Sequence, residues 1–264
     1  MFTDATLEAP VAQDGLTVAF VRGAKADREG VLKVLLAPQE AARHVFKDDA
    51  QRLVFRAETV CGPVLVKHFR LPRLKDRLRN GRFAKAEYLA HSRALAQGLP
   101  CPALVAVYER RRWGLCRECG LVYGFLDGFR DLAQGETALA AEMVARLSRA
   151  GINHADFVHT NVMVNDATGE TRLIDLENST AVPPGSIEAP LMQTQRFIEF
   201  GGLGFDHPES QAFIAQTHAS LKTPLPLEDF RACVKILLQR HRSRKERRLL
   251  RLPPEVRVIL DPLY

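Results

Sequence analysis

A lysine in the middle of an apolar segment constrains the fold of this 264-residue chain more than any other feature. Residues 64–69, Val-Leu-Val-Lys-His-Phe, have the composition of a β-strand, and the preceding segment Arg52–Thr59 predicts its hairpin partner. A buried ammonium group is costly unless it finds a partner. Glu87 lies twenty residues after Lys67, in a helix predicted over residues 82–97. We therefore expect strand lysine and helix glutamate to meet within one small α+β lobe.

The second half of the sequence predicts a mainly helical region that carries acidic and amide side chains in its loops. A helix predicted over residues 137–150 is followed by His154-Ala-Asp156, and Asn161 lies five residues after that aspartate. Asp175 ends a predicted strand nineteen residues after Asp156. Phosphoryl transfer uses such parts: a base for the attacking hydroxyl, oxygens for magnesium, a lysine for the phosphates and a carboxylate for that lysine.

In order and spacing, these stretches resemble the protein-kinase-like superfamily. Within it, the chain is most similar to the lipopolysaccharide core kinases of Gram-negative bacteria, which phosphorylate Kdo or heptose sugars. The similarity extends over about residues 45–200. It includes Phe-Lys-Asp-Asp at residues 46–49, the arginine-rich stretch after Lys67, Ala-Glu-Tyr at residues 86–88 and Gly-Leu-Pro-Cys-Pro at residues 98–102.

The resemblance implies a role for each matching residue. Asp156 is the expected catalytic base and His154 braces its loop, while Asn161 and Asp175 bind Mg²⁺. ATP is expected to contact Lys67, itself paired to Glu87, and the hinge residues Gly124, Phe125 and Leu126.

The implied fold is α+β and two-lobed, of the protein-kinase-like type. A small β-rich N-lobe is expected at residues 46–124 and a mainly helical C-lobe at residues 125–264, after an N-terminal extension of uncertain role at residues 1–45.

The sequence departs from the kinase pattern at two places. No glycine-rich loop precedes Lys67, and residues 48–54 occupy the corresponding hairpin, where backbone N–H groups or Arg52 are left to cover the phosphates. Asp175 is followed by Leu-Glu instead of Phe-Gly, so Glu177 is either a further metal ligand or a solvated acid.

The net charge of +6 hides two basic segments on an otherwise acidic chain. Residues 67–85 and 235–251 each hold eight basic residues and one acid, and the remaining residues sum to −8. Either these segments are solvated helix faces, or they bind an anionic membrane surface or glycolipid. Nucleic acid is disfavoured because the basic runs lack interleaved aromatic residues.

The cysteines and the apolar pattern of the sequence indicate the cellular compartment of the protein. No apolar run reaches the length of a membrane-spanning helix, no secretory signal is visible, and five thinly spread cysteines suit a reducing cytoplasm. For Cys116-Arg-Glu-Cys119 a plain hairpin turn is favoured over zinc, because a second such pair is missing from the sequence. We expect a cytoplasmic protein, peripheral on the inner membrane.

The predicted function is ATP-dependent phosphorylation of a Kdo or heptose hydroxyl on the lipopolysaccharide core or a lipid A-linked acceptor, with ATP and Mg²⁺ as cofactors. Two alternatives stay open. One is a soluble small-molecule kinase resembling the aminoglycoside and choline phosphotransferases, which usually have glycine where this chain has Ala155. The other is a pseudokinase that acts as a membrane-peripheral nucleotide-binding or scaffolding module.

Overall fold

A computed structural model describes residues 4–78 and 82–263, with only the backbone described at Arg82 and Phe83. It divides the chain into two compact units. Unit 1 comprises Met1–His91 and Pro102–Asp127, and unit 2 comprises Ser92–Cys101 and Gly128–Tyr264. In the described part of the chain, no helix is both long and apolar enough to cross a membrane.

Unit 1 is built around an antiparallel sheet of seven strands, which lie in the order β1-β2-β6-β7-β5-β4-β3. Its elements in chain order are β1 (Val11–Gln13), β2 (Leu16–Phe20), α1 (Arg28–Leu36), α2 (Pro38–Ala41), β3 (His44–Asp48), β4 (Arg52–Thr59), β5 (Gly62–Arg70), α3 (Leu74–Leu78), α4 (Arg82–Ala96), β6 (Leu104–Arg112) and β7 (Leu115–Gly124). The last residues of α4 belong to unit 2.

Alternation along β5 sends its side chains to two different cores. Val64 and Val66 join the apolar cluster that contains residues of α1, whereas Leu65 and Phe69 join the cluster that contains residues of α4. Because side chains along a strand alternate between faces, Lys67 lies on the face of Leu65 and Phe69, toward α4.

Unit 2 is mainly helical, with two small antiparallel sheets. Its strands and long helices are β8 (Phe129–Asp131), α5 (Thr137–Arg149), β9 (Ile152–His154), β10 (Val162–Asn165), β11 (Thr171–Leu173), β12 (Ser179–Ala181), α6 (Glu188–Phe200), α7 (Pro208–Leu221) and α8 (Leu227–Leu238). Two short helices follow, α9 (Arg244–Arg248) and α10 (Pro254–Leu260), and single 3-10 turns lie at His159–Asn161, Leu176–Asn178 and Asp261–Leu263. Helix α5 packs on α6 and α7, and α6 packs on α8.

The two small sheets of unit 2 hold the loops that carry its candidate catalytic residues. Strand β9 pairs with β12, and β10 pairs with β8 and β11. His154 is the last residue of β9, and the segment from residue 155 to Asn161 connects it to β10. Asp175 follows β11 and precedes the 3-10 turn at Leu176–Asn178. The pairing therefore fixes both ends of the Asp156 loop and the start of the Asp175 segment.

Several sequence predictions agree with these elements. Strand β4 spans the predicted residues, and α4, α5 and β5 lie within one to three residues of expectation. Residues 4–45 contribute β1, β2, α1 and α2, as well as the start of β3, so the described part of the expected extension is integral to unit 1.

Three local predictions were wrong. The apolar spacing of Ala86, Ala90, Ala94 and Leu95 in the sequence predicts that Leu95 lies on the buried face of α4, but Leu95 is exposed, whereas Tyr88 and His91 are buried. Cys116 and Cys119 lie within β7, and the hairpin turn before that strand is at Trp113-Gly114. The sequence pattern predicts a helix over residues 227–241, but α8 ends at Leu238, so the second basic segment continues past it into α9 and beyond.

Candidate functional site

Unit 1 holds a buried ion pair between Lys67 and Glu87. The Lys67 Nζ lies 2.9 Å from each of the two Glu87 carboxylate oxygens, and both residues are less than a tenth exposed. The Tyr123 hydroxyl donates to Glu87 Oε1 at 3.0 Å. Glu87 lies on the buried face of α4 beside Tyr88, which excludes a solvated helix position for this carboxylate.

His91 packs one helical turn from Glu87 and is a neutral neighbour of the ion pair. Its Nε2 donates to the Pro102 carbonyl at 2.8 Å, and its ring centroid lies 5.0 Å from that of Tyr123. Burial, and to a smaller extent the Lys67 charge, lowers the pKa of His91 to about 4. The imidazole is therefore uncharged at neutral pH, and it adds no second positive charge beside Lys67.

The hairpin between β3 and β4, which replaces a glycine-rich loop, is closed by its own side chains. The Asp49 Oδ1 accepts from the Gln51 and Arg52 amides at 2.8 Å each, and the Asp49 amide donates to the Arg52 carbonyl. Arg70 Nη1 donates to Asp48 Oδ1 and to the Asp49 carbonyl. Three of the backbone amides expected to cover phosphates are thus engaged within the loop.

The predicted hinge residues follow the end of β7. The Gly124 amide donates to the Ala103 carbonyl at 2.8 Å, and the Phe125 amide donates to the Pro63 carbonyl at 3.1 Å. The Phe125 ring lies between Phe46, with centroids 6.1 Å apart, and the Arg56 guanidinium at 4.7 Å. These two hydrogen bonds use the amides of Gly124 and Phe125 and do not involve the amide of Leu126.

In unit 2, Ile174 joins the Asp156 loop to the Asp175 segment through its backbone. The Ile174 amide donates to the Asn161 carbonyl at 3.0 Å, and the Ile174 carbonyl accepts from His154 Nε2 at 3.2 Å. Complete burial lowers the pKa of His154, so the ring is neutral and serves as this donor. The fold therefore brings His154, Asn161 and the residue before Asp175 together.

The residues predicted to bind magnesium offer a suitable set of oxygen ligands. Asn161 Nδ2 donates to the Asp156 carbonyl at 2.9 Å, which directs the amide oxygen away from that contact. Asp175 adopts a left-handed backbone with φ of 58°, and a ligand oxygen of Asp175 lies within 4.8 Å of one of Glu177. Carboxylate and amide oxygens are ligands that Mg²⁺ prefers, so these residues fit the cation.

Two arginines that the sequence analysis did not single out contact the Asp156 carboxylate. Arg244 Nε lies 2.7 Å from Oδ2, and Arg247 Nη2 lies 3.3 Å from Oδ1. Asn178 Nδ2 also donates to Oδ2 at 3.1 Å. Both arginines belong to the second basic segment, residues 235–251. The sequence predicts a common role for all basic residues of that segment. Arg247 is buried, so a solvated face does not describe that residue.

The sequence holds one clue to these arginines. Ser243 and Glu246 form a capping box at the start of α9, a pattern recognisable from Ser-x-x-Glu spacing. The box predicts a helix start next to Arg244, but nothing in the pattern identifies Asp156, far upstream in the chain, as the partner.

The structure is that of a mixed α/β protein with one β-rich unit and one mainly helical unit. No protein-family model matches the chain, and a search of curated proteins gives no match. Among solved structures, WaaP in complex with acyl carrier protein is similar, with a TM-score of 0.52 and 17% sequence identity. The match covers 80% of this chain and 90% of that one. At this identity the likeness shows a WaaP-like kinase fold, and the roles of the site residues remain predictions.

Proposed function

We propose that the protein is an ATP- and Mg²⁺-dependent kinase that phosphorylates a hydroxyl of Kdo or heptose in the lipopolysaccharide inner core. The buried pair of Lys67 and Glu87 carries this proposal. A buried ion pair adds little to stability compared with well-packed apolar residues. Its presence in an apolar sheet, with a tyrosine donor on Glu87, supports a role in fixing a lysine ammonium near phosphate groups.

The proposed chemistry divides between the two units. In unit 1, Lys67 contacts the ATP phosphates and Glu87 fixes the lysine. In unit 2, Asp156 orients the acceptor hydroxyl and receives its proton, while His154 keeps the loop in place through the Ile174 carbonyl. Asn161 and Asp175 would hold Mg²⁺, which would supply positive charge to neutralise the phosphates.

The fold comparison supports a kinase of this type. The match with WaaP covers 80% of this chain. The shared fold together with Lys67, Glu87, Asp156, Asn161 and Asp175 in kinase order favours the same class of reaction, and the particular sugar and hydroxyl follow from the acceptor experiment below.

The decisive experiment follows phosphate by mass after incubation with ATP, Mg²⁺ and truncated lipopolysaccharides that end in Kdo or heptose. We expect transfer by the native protein. Asp156→Asn and Asp175→Asn should each lower kcat by at least about 100-fold, because each removes a carboxylate that the reaction uses. Glu142→Ala, which removes an exposed carboxylate of α5, is the matched control and should retain activity.

Each alternative predicts a different result. Full activity of the Asp156 or Asp175 variant contradicts the mechanism. Transfer to small sugars or amino alcohols but not to lipopolysaccharide supports a soluble small-molecule kinase. Absence of a thermal shift with ATP and Mg²⁺ supports a scaffolding pseudokinase, for which the closed hairpin at Asp49 is the relevant structural feature.

The proposal extends to location and partners. A peripheral position on the cytoplasmic face of the inner membrane would place the enzyme beside its glycolipid acceptor, and exposed cations such as Lys75 and Lys245 suit an anionic surface. Co-sedimentation with anionic and neutral vesicles tests this. Because the WaaP structure contains acyl carrier protein, that protein is included as a candidate partner in the same binding experiment.

A further inference from the structure

The carboxylate proposed as the catalytic base is occupied on both oxygens. Asp156 Oδ2 contacts Arg244 at 2.7 Å and Asn178 at 3.1 Å, and Oδ1 contacts Arg247 at 3.3 Å. An acceptor hydroxyl must form its own hydrogen bond to this carboxylate in order to react. The hydroxyl therefore competes with these three donors for the acceptor sites of the carboxylate, and the donor that is held most weakly is the one it displaces.

Arg247 is unsuited to moving. Its side chain is 5% exposed, and it donates from Nε to the Ala155 carbonyl at 2.9 Å and from Nη1 to the Arg242 carbonyl. Its Nη1 also lies 3.9 Å from Glu199. Displacing this guanidinium would leave several buried acceptors without a donor, which is costly. Arg247 is therefore a fixed support of the Asp156 loop.

Arg244 has the opposite character. Its side chain is 59% exposed, and the contact with Asp156 is its one side-chain interaction among the described residues. The capping box of Ser243 and Glu246 fixes the backbone at the start of α9, so the side chain can reorient without unfolding the helix. Exposed ion pairs are weak, and this one can exchange for a better partner.

The chemistry of the Arg244 guanidinium indicates which kind of ligand would replace Asp156. A guanidinium presents a planar set of donors that matches carboxylate and phosphate groups in a bidentate manner. Arg244 uses Nε toward Asp156, and it lies one hydrogen bond from the atom that would hold the acceptor hydroxyl. An anion bound by this guanidinium would thus lie close to the reacting hydroxyl of the same acceptor.

We propose that Arg244 is a specificity-determining residue that leaves Asp156 to bind a carboxylate or phosphate on the acceptor, close to the hydroxyl that is phosphorylated. The exchange leaves Asn178 as the one remaining donor to Asp156 Oδ2, and it occurs only when an acceptor with such an anion is present. This inference rests on the proposed function, since it assigns the acceptor class of the same site.

The test compares Arg244→Gln and Arg244→Lys with two matched controls, Arg93→Gln and Arg257→Gln, which each remove one exposed arginine of unit 2 that lies outside both basic segments. The acceptors are truncated lipopolysaccharide ending in Kdo and its carboxyl-reduced form, and heptose-terminated core with and without a phosphate group. The two pairs distinguish a carboxylate from a phosphate as the bound anion.

For Arg244→Gln we expect KM for the preferred anionic acceptor to rise about 10- to 100-fold with kcat little changed. KM for its neutral counterpart should change less than about threefold, and Arg244→Lys should recover part of the loss. The control variants should match the native protein. Equal losses on charged and neutral acceptors, no loss at all, or an equal loss in the controls would each overturn the inference.

A binding measurement separates this inference from the proposed function. Free Kdo and its carboxyl-reduced analogue are titrated calorimetrically into the native protein and Arg244→Gln. If no phosphate is transferred but Kdo binds in an Arg244-dependent manner, the kinase proposal fails and the anion site stands. If phosphate is transferred but binding and KM are independent of Arg244, the inference alone fails.

Discussion

Two ion pairs of candidate functional residues, one in each unit, differ in how far their side chains are exposed to water. The Lys67–Glu87 pair of unit 1 has side chains 9% and 3% exposed, whereas the Arg244–Asp156 pair of unit 2 has side chains 59% and 12% exposed. In the first, neither ion can be solvated if the other leaves. In the second, water can replace the arginine. The buried pair is suited to holding a group in place, and the exposed pair is suited to exchange.

The largest effect is expected from breaking the buried pair. Lys67→Met leaves the Glu87 carboxylate buried without its cation and should lower the free energy of unfolding by about 3–5 kcal/mol, measured by urea denaturation. The double variant Lys67→Met/Glu87→Gln removes the buried charge and should recover much of this loss. Lys33→Met, which breaks the exposed pair with Glu29, is the control and should leave the free energy of unfolding nearly unchanged. Equal costs in the two single variants would contradict the distinction.

A second effect concerns acid sensitivity of the same buried region. Because burial lowers the pKa of His91 to about 4 from 6.5, the unfolded chain binds a proton at His91 more readily than the folded protein. Above pH 6.5 this residue contributes no pH dependence, and stability falls as the pH drops from 6.5 to 4. The loss reaches roughly 3 kcal/mol at pH 4.

The variant His91→Gln tests the assignment, since glutamine does not titrate and can donate to the Pro102 carbonyl. The free energy of unfolding, measured by urea denaturation at half-unit pH intervals, should fall less steeply in the variant between pH 6.5 and 4. Parallel curves for the two proteins would show that another group causes the acid loss. His68 and His154, whose pKa values are also lowered by burial, contribute to the remaining slope.

The smallest effect on stability is expected at Arg244, and comparison with Arg247 sharpens the contrast within one site. Arg244→Gln should change the free energy of unfolding by less than about 1 kcal/mol. Arg247→Gln should lower it by about 2 kcal/mol, because two buried carbonyls lose a charged donor. Urea denaturation of both variants in the same buffer measures the difference. A cost at Arg244 as large as that at Arg247 would mean that Arg244 is structural.

The parts of the site that were predicted from sequence are those set by local periodicity. Alternation in residues 64–69 places Lys67 and Val66 on opposite faces of the strand. The helical pattern around Glu87 places a carboxylate on α4, the helix that follows in the chain. Asp156 and Asn161 are close in sequence, so a single loop suffices to bring them together. For such residues, chain geometry restricts the possible arrangements to a few.

The errors arose where packing overrides pattern. Leu95 matches the apolar period of α4 but is exposed near the end of the helix, while Glu87 and His91 are buried because Lys67 and the Pro102 carbonyl provide their partners. A polar side chain can be buried when another segment provides a hydrogen-bond or ion-pair partner. The hydrophobic pattern of the sequence does not identify that partner.

The residue types proposed for phosphoryl transfer, their order, and the division into a β-rich and a helical part follow from the amino-acid sequence alone. The difference among the eight basic residues of the second segment follows only from how the chain packs. Arg247 is enclosed and holds the Asp156 loop, whereas Arg244, three residues earlier, meets the same carboxylate from solvent. The physical reason is that the strength and permanence of an ion pair depend on solvent exclusion, which arises from the packing of segments distant in the chain.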